Sequence, residues 1–347
     1  VAPRKWKVFV AEVAEPFEPF MESLSAAGCD VRLGRSMMDG TPYSEHEMVE
    51  LVEDADALMG GSRETYTRRI LESAPKLRIL SKFGTGLERI DLNAATELGV
   101  LVANTPVNSL GVAETAVAYI LALAKKLKAR DRGVAAGTWR SVGYEQMTGM
   151  LLKDKVVGII GFGRAGAAVA RLLQPWDVKL LAYDPWRSPE RGVPFDVKLT
   201  TLDRLLRESD FVTIHAAATP ETNKMIGEAQ FRVMKETAYI INTARGMLID
   251  EQALVSALRK GLIAGAALDV FDPEPPEPDN PLFTEFPDRV WLAPHAAAYS
   301  PEIRGMMLST WVDNCLKALK SEIPQYTVNR DAVPKWQKRI SDLSVIR

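Results

Sequence analysis

Cysteine is almost missing from this 347-residue chain, which has only Cys29 and Cys315. Two thiols cannot build the disulfide framework of a secreted domain or a zinc cluster, so a reducing cytoplasm and no metal are expected. An excess of one charge is missing too. A formal net charge of −2 offers no basic surface to nucleic acid and no attraction to an acidic membrane. No apolar run approaches the roughly 18 residues of a membrane span. The opening VAPRKWKVFVAE passes straight into a strand-like segment, with no signal-peptide pattern. Low-complexity segments are lacking, and histidine occurs only at positions 46, 215 and 295. What remains is ordinary globular composition, 47% hydrophobic and 25% charged, in a chain long enough for two domains.

Short apolar runs alternate with helical patterns along most of the chain. KVFV (7–10), ADALMG (55–60), LRILS (77–81) and VLVAN (100–104) read as strands, with a helix at 44–55 opened by a Ser44/Glu47 capping box. A second series runs KVVGII, VKLLAYD, FVTIHA, AYIINT, AGAALDV and RVWLAP. Helix patterns such as TLDRLLRES and DEQALVSALRKG separate these strands, and Gly261 is the expected stop of the latter. Such alternation predicts parallel sheets with helices on both faces. Between the two series lies the longest helical pattern, over 109–130. Its middle, TAVAYILALA, is apolar all round and must be buried, in a large core or against a second subunit. The stretch 137–155, carrying Trp139, Tyr144 and Met147, has no clear period and reads as an arm on another protomer. The pattern is helical again over 301–320, and the tail from EIPQYTVN onward is polar and contains proline.

One segment carries a strong chemical signal. Gly161-Phe162-Gly163-Arg164-Ala165-Gly166 is G-x-G-x-x-G, a weak pattern alone. Here a β-branched strand precedes it, an Ala/Val-rich helix follows, and the next strand ends in Asp184. Gly161 permits the tight turn, Gly163 lets backbone N–H groups approach a pyrophosphate, and Gly166 lets helix and strand pack closely. Asp184 would accept hydrogen bonds from a ribose 2′-hydroxyl and repel a 2′-phosphate, so NAD is expected over NADP. Arg187, three residues on, is the one feature that argues the other way.

Chemistry on such a cofactor belongs on loops after the same strands. Arg245 follows AYIINT and could hold a carboxylate bidentately. Asp269 ends AGAALDV, Glu274 lies in the proline-rich loop beyond, and His295 follows RVWLAP. His46 sits in a charged helix and is expected to be solvated, whereas His215 follows FVTI on the adenine side. Taken singly, each has a bland reading: a surface ion pair, a solvated acid, a core histidine. Together they suit hydride transfer to a ketone, which makes an alkoxide and needs a proton donor near neutral pH. A carboxylate beside an imidazolium favours its charged form and orients the ring, the role open to Glu274.

These residues resemble the D-isomer-specific 2-hydroxyacid dehydrogenase family over nearly the whole chain. The matching motifs are KFGTGLERIDL (82–92), NSLGVAETA (108–116), GFGRAG with Asp184, NTARGMLIDEQAL (242–254), ALDVFDPEP (267–275) and PHAAAYSPE (294–302). The resemblance implies Arg245, Glu274 and His295 as the catalytic group, with Glu274 preferred to Glu277 by its place before proline in DPEP. It implies Asp269 as partner of the nicotinamide amide, and cofactor contacts from Arg164, Ala165, Thr243 and Ala298. It also implies a loop, Lys82, Gly84, Thr85 and Gly86, that grips the substrate carboxylate. The implied architecture is two doubly wound α/β domains. A Rossmann NAD-binding domain (106–296) is inserted in a discontinuous flavodoxin-like substrate domain (1–105 and 297–347). The long helix and arm (108–150) would be the contact of a homodimer. The implied activity is reversible, NAD-dependent interconversion of a D-2-hydroxy acid and its 2-oxo acid. The same segments also resemble the C-terminal-binding-protein branch, an NAD-sensing corepressor, against which the lack of long disordered flanks argues. Two places stand apart. His215 is followed by Ala216-Ala217-Ala218-Thr219 where the family often has Pro-Leu-Thr, and Arg63 reads equally as an ion-paired arginine or a contact to the substrate's distal end.

Overall fold

The computed structural model describes residues 6–15, 17–37, 41–61, 63–139, 148–187 and 194–345. The chain divides into two compact units, Val1–Asn108 with Ser300–Arg347, and Ser109–Tyr299. In the first unit, β1 (Trp6–Val13), β2 (Cys29–Ser36), β3 (Ala57–Gly60), β4 (Ile79–Lys82) and β5 (Leu101–Ala103) form a parallel sheet ordered β2-β1-β3-β4-β5. Successive strand residues point to opposite faces, and both faces are covered. Val8, Val10, Met59, Ile79 and Leu101 pack with Leu308, Trp311 and Cys315 of the helix Pro301–Leu319. Phe9, Leu58, Leu80 and Val102 pack instead with Met48, Val52 and Ile70. Burial on two faces is why these strands read as continuous apolar runs.

Two elements here lie outside the sequence expectations. CDVRLGRS forms β2, an edge strand paired only with β1, where exposed Asp30 and Arg32 leave no apolar run. The tail folds into the helix Val333–Val345, anchored by buried Trp336 and by Arg339, whose guanidinium donates to the carbonyls of Ala74, Pro75, Leu77 and Leu98. Ser44 and Glu47 make the capping box at the helix Glu45–Val52.

The second unit holds seven parallel strands, β6 (Val156–Ile160), β7 (Lys179–Tyr183), β8 (Val197–Leu199), β9 (Phe211–Ile214), β10 (Tyr239–Asn242), β11 (Gly265–Leu268) and β12 (Val290–Leu292). Their order, β12-β11-β10-β9-β6-β7-β8, is that of a Rossmann sheet with one strand added. Only the short edge strand β8 had no sequence signal. The apolar helix Ser109–Ala124 is largely accounted for inside this unit, because Ala113, Ala116, Ile120 and Leu123 share a core with Ile159, Val169 and Ile241. It stops earlier than its pattern suggests. The Met150 N–H takes the Ala124 carbonyl at 2.8 Å, and Lys126 turns left-handed at φ 51° before the helix Leu127–Ala135 begins. Leu110, Leu127, Val134, Trp139 and Leu151 remain exposed. Tyr144 and Met147 lie outside the described residues. Among the described residues no helix is long and apolar enough to cross a membrane.

Candidate active site

Parallel register lines up the strand ends of the second unit. Tyr183, Ile160, Ile214, Asn242, Leu268 and Leu292 are successive partners across the sheet. The next residue of each strand therefore leaves along a single edge, and five of those six are Asp184, Gly161, His215, Thr243 and Asp269. The chain runs outward in opposite directions from the neighbours β6 and β9. That is the topological switch at which open α/β sheets take ligands.

The glycine turn sits at this switch. Gly161 has φ +85°, and a Cβ there would lie 2.5 Å from Ala216 N, so no side chain fits. A Cβ on Gly166 would collide with the Gly161 carbonyl, whereas one on Gly163 would meet nothing within 4 Å. Open space thus faces Gly163 where it caps the helix Arg164–Leu173, with no side chain on the cap. Buried polar atoms without a hydrogen-bond partner lie on the same edge, His215 Nδ1 and Thr243 Oγ1. This geometry fits a dinucleotide: uncapped amides for the pyrophosphate, Asp184 beside them for the ribose, and orphaned polar atoms along the crevice. His215 shares a hydrogen bond of 2.9 Å between Nε2 and Thr213 Oγ1, and burial pushes its imidazole down to about 4.

Beyond β10, Asn242 shapes the turn that carries Arg245. Its Nδ2 donates to the Arg245 carbonyl at 2.8 Å, and its Oδ1 accepts from the Ala244 N–H at 3.0 Å. A Cβ on Gly246 would collide with the Phe271 carbonyl, so this glycine lets the Arg245 turn press against the loop bearing Glu274. Glu274 Oε1 accepts from the Phe271 N–H at 3.0 Å, and Oε2 lies 2.8 Å from His295 Nδ1. Burial raises the Glu274 carboxyl. Hydrogen bonds from His295 and Phe271, with the charges of His295 and Arg245, outweigh it and hold the group below the ordinary carboxylate value. An ionised Glu274 makes Nδ1 the donor, which leaves Nε2 as the atom able to exchange a proton.

Asp269 anchors this arrangement. Its carboxylate accepts from the Ala296 and Ala297 N–H groups at 2.8 and 2.9 Å, and its carbonyl accepts from the His295 N–H at 2.7 Å. These bonds hold His295 in a left-handed conformation, φ 54°. Burial raises the Asp269 carboxyl, partly offset by the two amides. Ala298, half-buried, follows in the same turn. Neither Asn242 nor Gly246 was singled out from the sequence, although both stand inside a quoted motif.

The first unit carries the other expected residues at its own strand ends. Lys82 closes β4, with Nζ donating to the Phe83 carbonyl at 2.6 Å. Gly84 has φ +94°, and its N–H is already donated to Thr105 Oγ1 at 2.7 Å, so its part is conformational. Asn104 Nδ2 holds the Thr85 carbonyl at 3.0 Å, and Gly86 follows in the same loop. Arg63 takes the ion-paired reading: its N–H and Nε lie 2.7 and 3.4 Å from Glu12 Oε1, and Nη2 donates to the Ser36 carbonyl at 2.7 Å. His46 is exposed beside Glu50, as a solvated histidine should be.

Residues 117–297 match the D-isomer specific 2-hydroxyacid dehydrogenase NAD-binding domain. The chain is 40% identical to a glyoxylate reductase of Korarchaeum cryptofilum over 297 residues, 85% of this chain and 89% of that protein. It is 37% identical to a D-3-phosphoglycerate dehydrogenase of Archaeoglobus fulgidus over 312 residues, 88% of this chain and 57% of that longer protein. An NAD-complexed D-isomer specific 2-hydroxyacid dehydrogenase from Lactobacillus delbrueckii ssp. bulgaricus superposes with a TM-score of 0.74 at 27% identity, covering 93% of this chain and 99% of its own. The match takes in the glycine turn, the Arg245 turn and the Glu274–His295 pair, and the chain belongs to the D-isomer-specific 2-hydroxyacid dehydrogenase family of NAD-dependent oxidoreductases.

Proposed function

We propose that the chain reduces a small 2-oxo acid to its D-2-hydroxy acid, with His295 as acid/base, Glu274 as its partner and Arg245 as the carboxylate anchor. The observation that carries this reading is the 2.8 Å contact of Glu274 with His295 Nδ1, on a loop braced against the Arg245 turn by Gly246. When bound, NADH supplies the hydride that reduces the carbonyl carbon. Arg245 holds the substrate carboxylate through a bidentate pair and stabilises the negative charge that grows on the neighbouring oxygen. His295 Nε2 gives that oxygen its proton, and Glu274 stabilises the imidazolium that is ready to do so. Asp269 fixes the turn that aims the ring. Asp184 selects NAD through the ribose.

The glyoxylate reductase names of several relatives make glyoxylate the first substrate to test, and the enzyme names of these relatives are the ground for preferring catalysis to a corepressor role. A panel of glyoxylate, whose product is achiral, and of hydroxypyruvate, pyruvate and longer 2-oxo acids, followed by NADH absorbance, should show turnover, with the D-isomer formed from the members that give a chiral product. No turnover on any member, or an L-product, would overturn the reading. The exposed apolar residues Leu110, Leu127, Val134, Trp139 and Leu151, all in or beside the expected helix-and-arm contact, support a homodimer made through that segment. Sedimentation of Leu127→Lys should then show a shift toward monomer. Both thiols are buried and unpaired, in keeping with a reducing cytoplasm.

A further inference from the structure

We infer that Arg187 is a positioning residue for the pyrophosphate cradle, and not a ligand for a 2′-phosphate. Two neighbours grip the Phe162 peptide groups in the glycine turn. The Phe162 N–H donates to Asp184 Oδ2 at 2.9 Å, and the Phe162 carbonyl accepts from Arg187 Nη1 at 2.8 Å. The Arg187 guanidinium also lies over the Phe162 ring, 4.9 Å from its centroid, and that ring is 1% exposed. Asp184 Oδ1 accepts from the Trp186 N–H at 3.1 Å, and the Arg187 N–H donates to the Asp184 carbonyl at 3.2 Å, so the clamp itself is built on a turn.

The consequence follows from peptide geometry. A trans peptide holds its C=O and N–H antiparallel. Fixing the Phe162 carbonyl toward Arg187 therefore turns the Gly163 N–H the opposite way. Gly163 faces the open space ahead of the helix Arg164–Leu173, where backbone amides meet phosphate oxygens. A guanidinium stacked on a buried ring, with Nη1 committed to the Phe162 carbonyl, has lost the freedom to follow a 2′-phosphate. Arg187, the feature of the sequence that argued for NADP, serves in this placement to pre-set an amide for any dinucleotide.

The inference rests on NAD binding by this unit. Wild-type affinity for NADH tests that foundation, whereas NADH binding indifferent to residue 187 would refute the clamp alone. Titration of wild type and Arg187→Met with NADH, NADPH and adenosine separates the roles. The clamp predicts that both dinucleotides weaken by about tenfold, the scale of one charge-assisted hydrogen bond. It also predicts that their ratio stays within about twofold, with adenosine binding and kcat at saturating NADH little changed. Arg187→Lys, which keeps a donor for the Phe162 carbonyl, should recover part of the loss. Loss confined to NADPH would make Arg187 a 2′-phosphate ligand and overturn the proposal. So would no loss at all, or an equal loss for adenosine. If Arg187→Met melts below the working temperature, Arg187→Gln repeats the test with a neutral donor, which should bind both dinucleotides better than Arg187→Ala.

Discussion

Glu274→Gln removes one charge from the pair with His295 and little else, because glutamine keeps the shape and an oxygen that can still accept from Nδ1–H. The pair is half-exposed, with 49% of the His295 side chain and 37% of the Glu274 side chain open to solvent. The water-like end of the dielectric range therefore applies. Two unit charges 2.8 Å apart interact by about 1.5 kcal/mol at a dielectric constant of about 80, roughly tenfold in a rate. The variant loses that attraction between carboxylate and ring, so kcat/KM for 2-oxo acid reduction should fall by about tenfold with NADH affinity retained. Steady-state assays of both proteins with the same substrate and NADH, at one pH and constant ionic strength, read this directly. An unchanged kcat/KM would refute the pairing, since Glu274 would then do nothing for His295.

His295→Ala should lower kcat by about 10²- to 10⁴-fold with NADH affinity retained; near-normal turnover removes His295 from the mechanism. Asp184→Ala should move the NADPH-to-NADH preference toward NADPH by about tenfold or more, and unchanged selectivity in steady-state assays would contradict its role at the ribose. His215 supplies a prediction about stability. Its folded value of about 4 lies below the ordinary 6.5, so the native state keeps it neutral. Its contribution is full above 6.5 and is lost as pH falls toward 4, by about 3 kcal/mol in all. Urea melts of wild type and His215→Gln should diverge over that window, and parallel acid losses would show that His215 is not the group responsible.

The site was legible to different depths. The glycine turn and Asp184 could be read because each glycine answers a local steric demand and the acid ends the very next strand. Arg245, Glu274 and His295 were visible only as a combination, since a lone arginine, acid or histidine after a strand has a bland reading of its own. Arg63 shows the limit. Nothing near it in sequence indicates Glu12, which comes from another strand and is fully buried beneath Gly61. Glu64 is likewise buried there and is pushed up to about 8, first by burial and then by Glu12. Gly246 went unremarked because it lets a turn press against a loop more than twenty residues away, and Asn242 because its side chain serves only the backbone of the turn that follows it.

Strand-helix alternation and the phosphate turn were determined by the sequence itself, because both depend on residues a few positions apart. Edge strands β2 and β8 and the helix Val333–Val345 escaped it, since exposure on one side removes the apolar run that marks a buried element. Only the tertiary structure decided the rest. Parallel register sets Asn242, Leu268 and Leu292 in one row. Three loops far apart along the chain thereby deliver a guanidinium, a carboxylate and an imidazole to one edge. The partner each polar group takes there depends on packing that no short stretch of residues encodes.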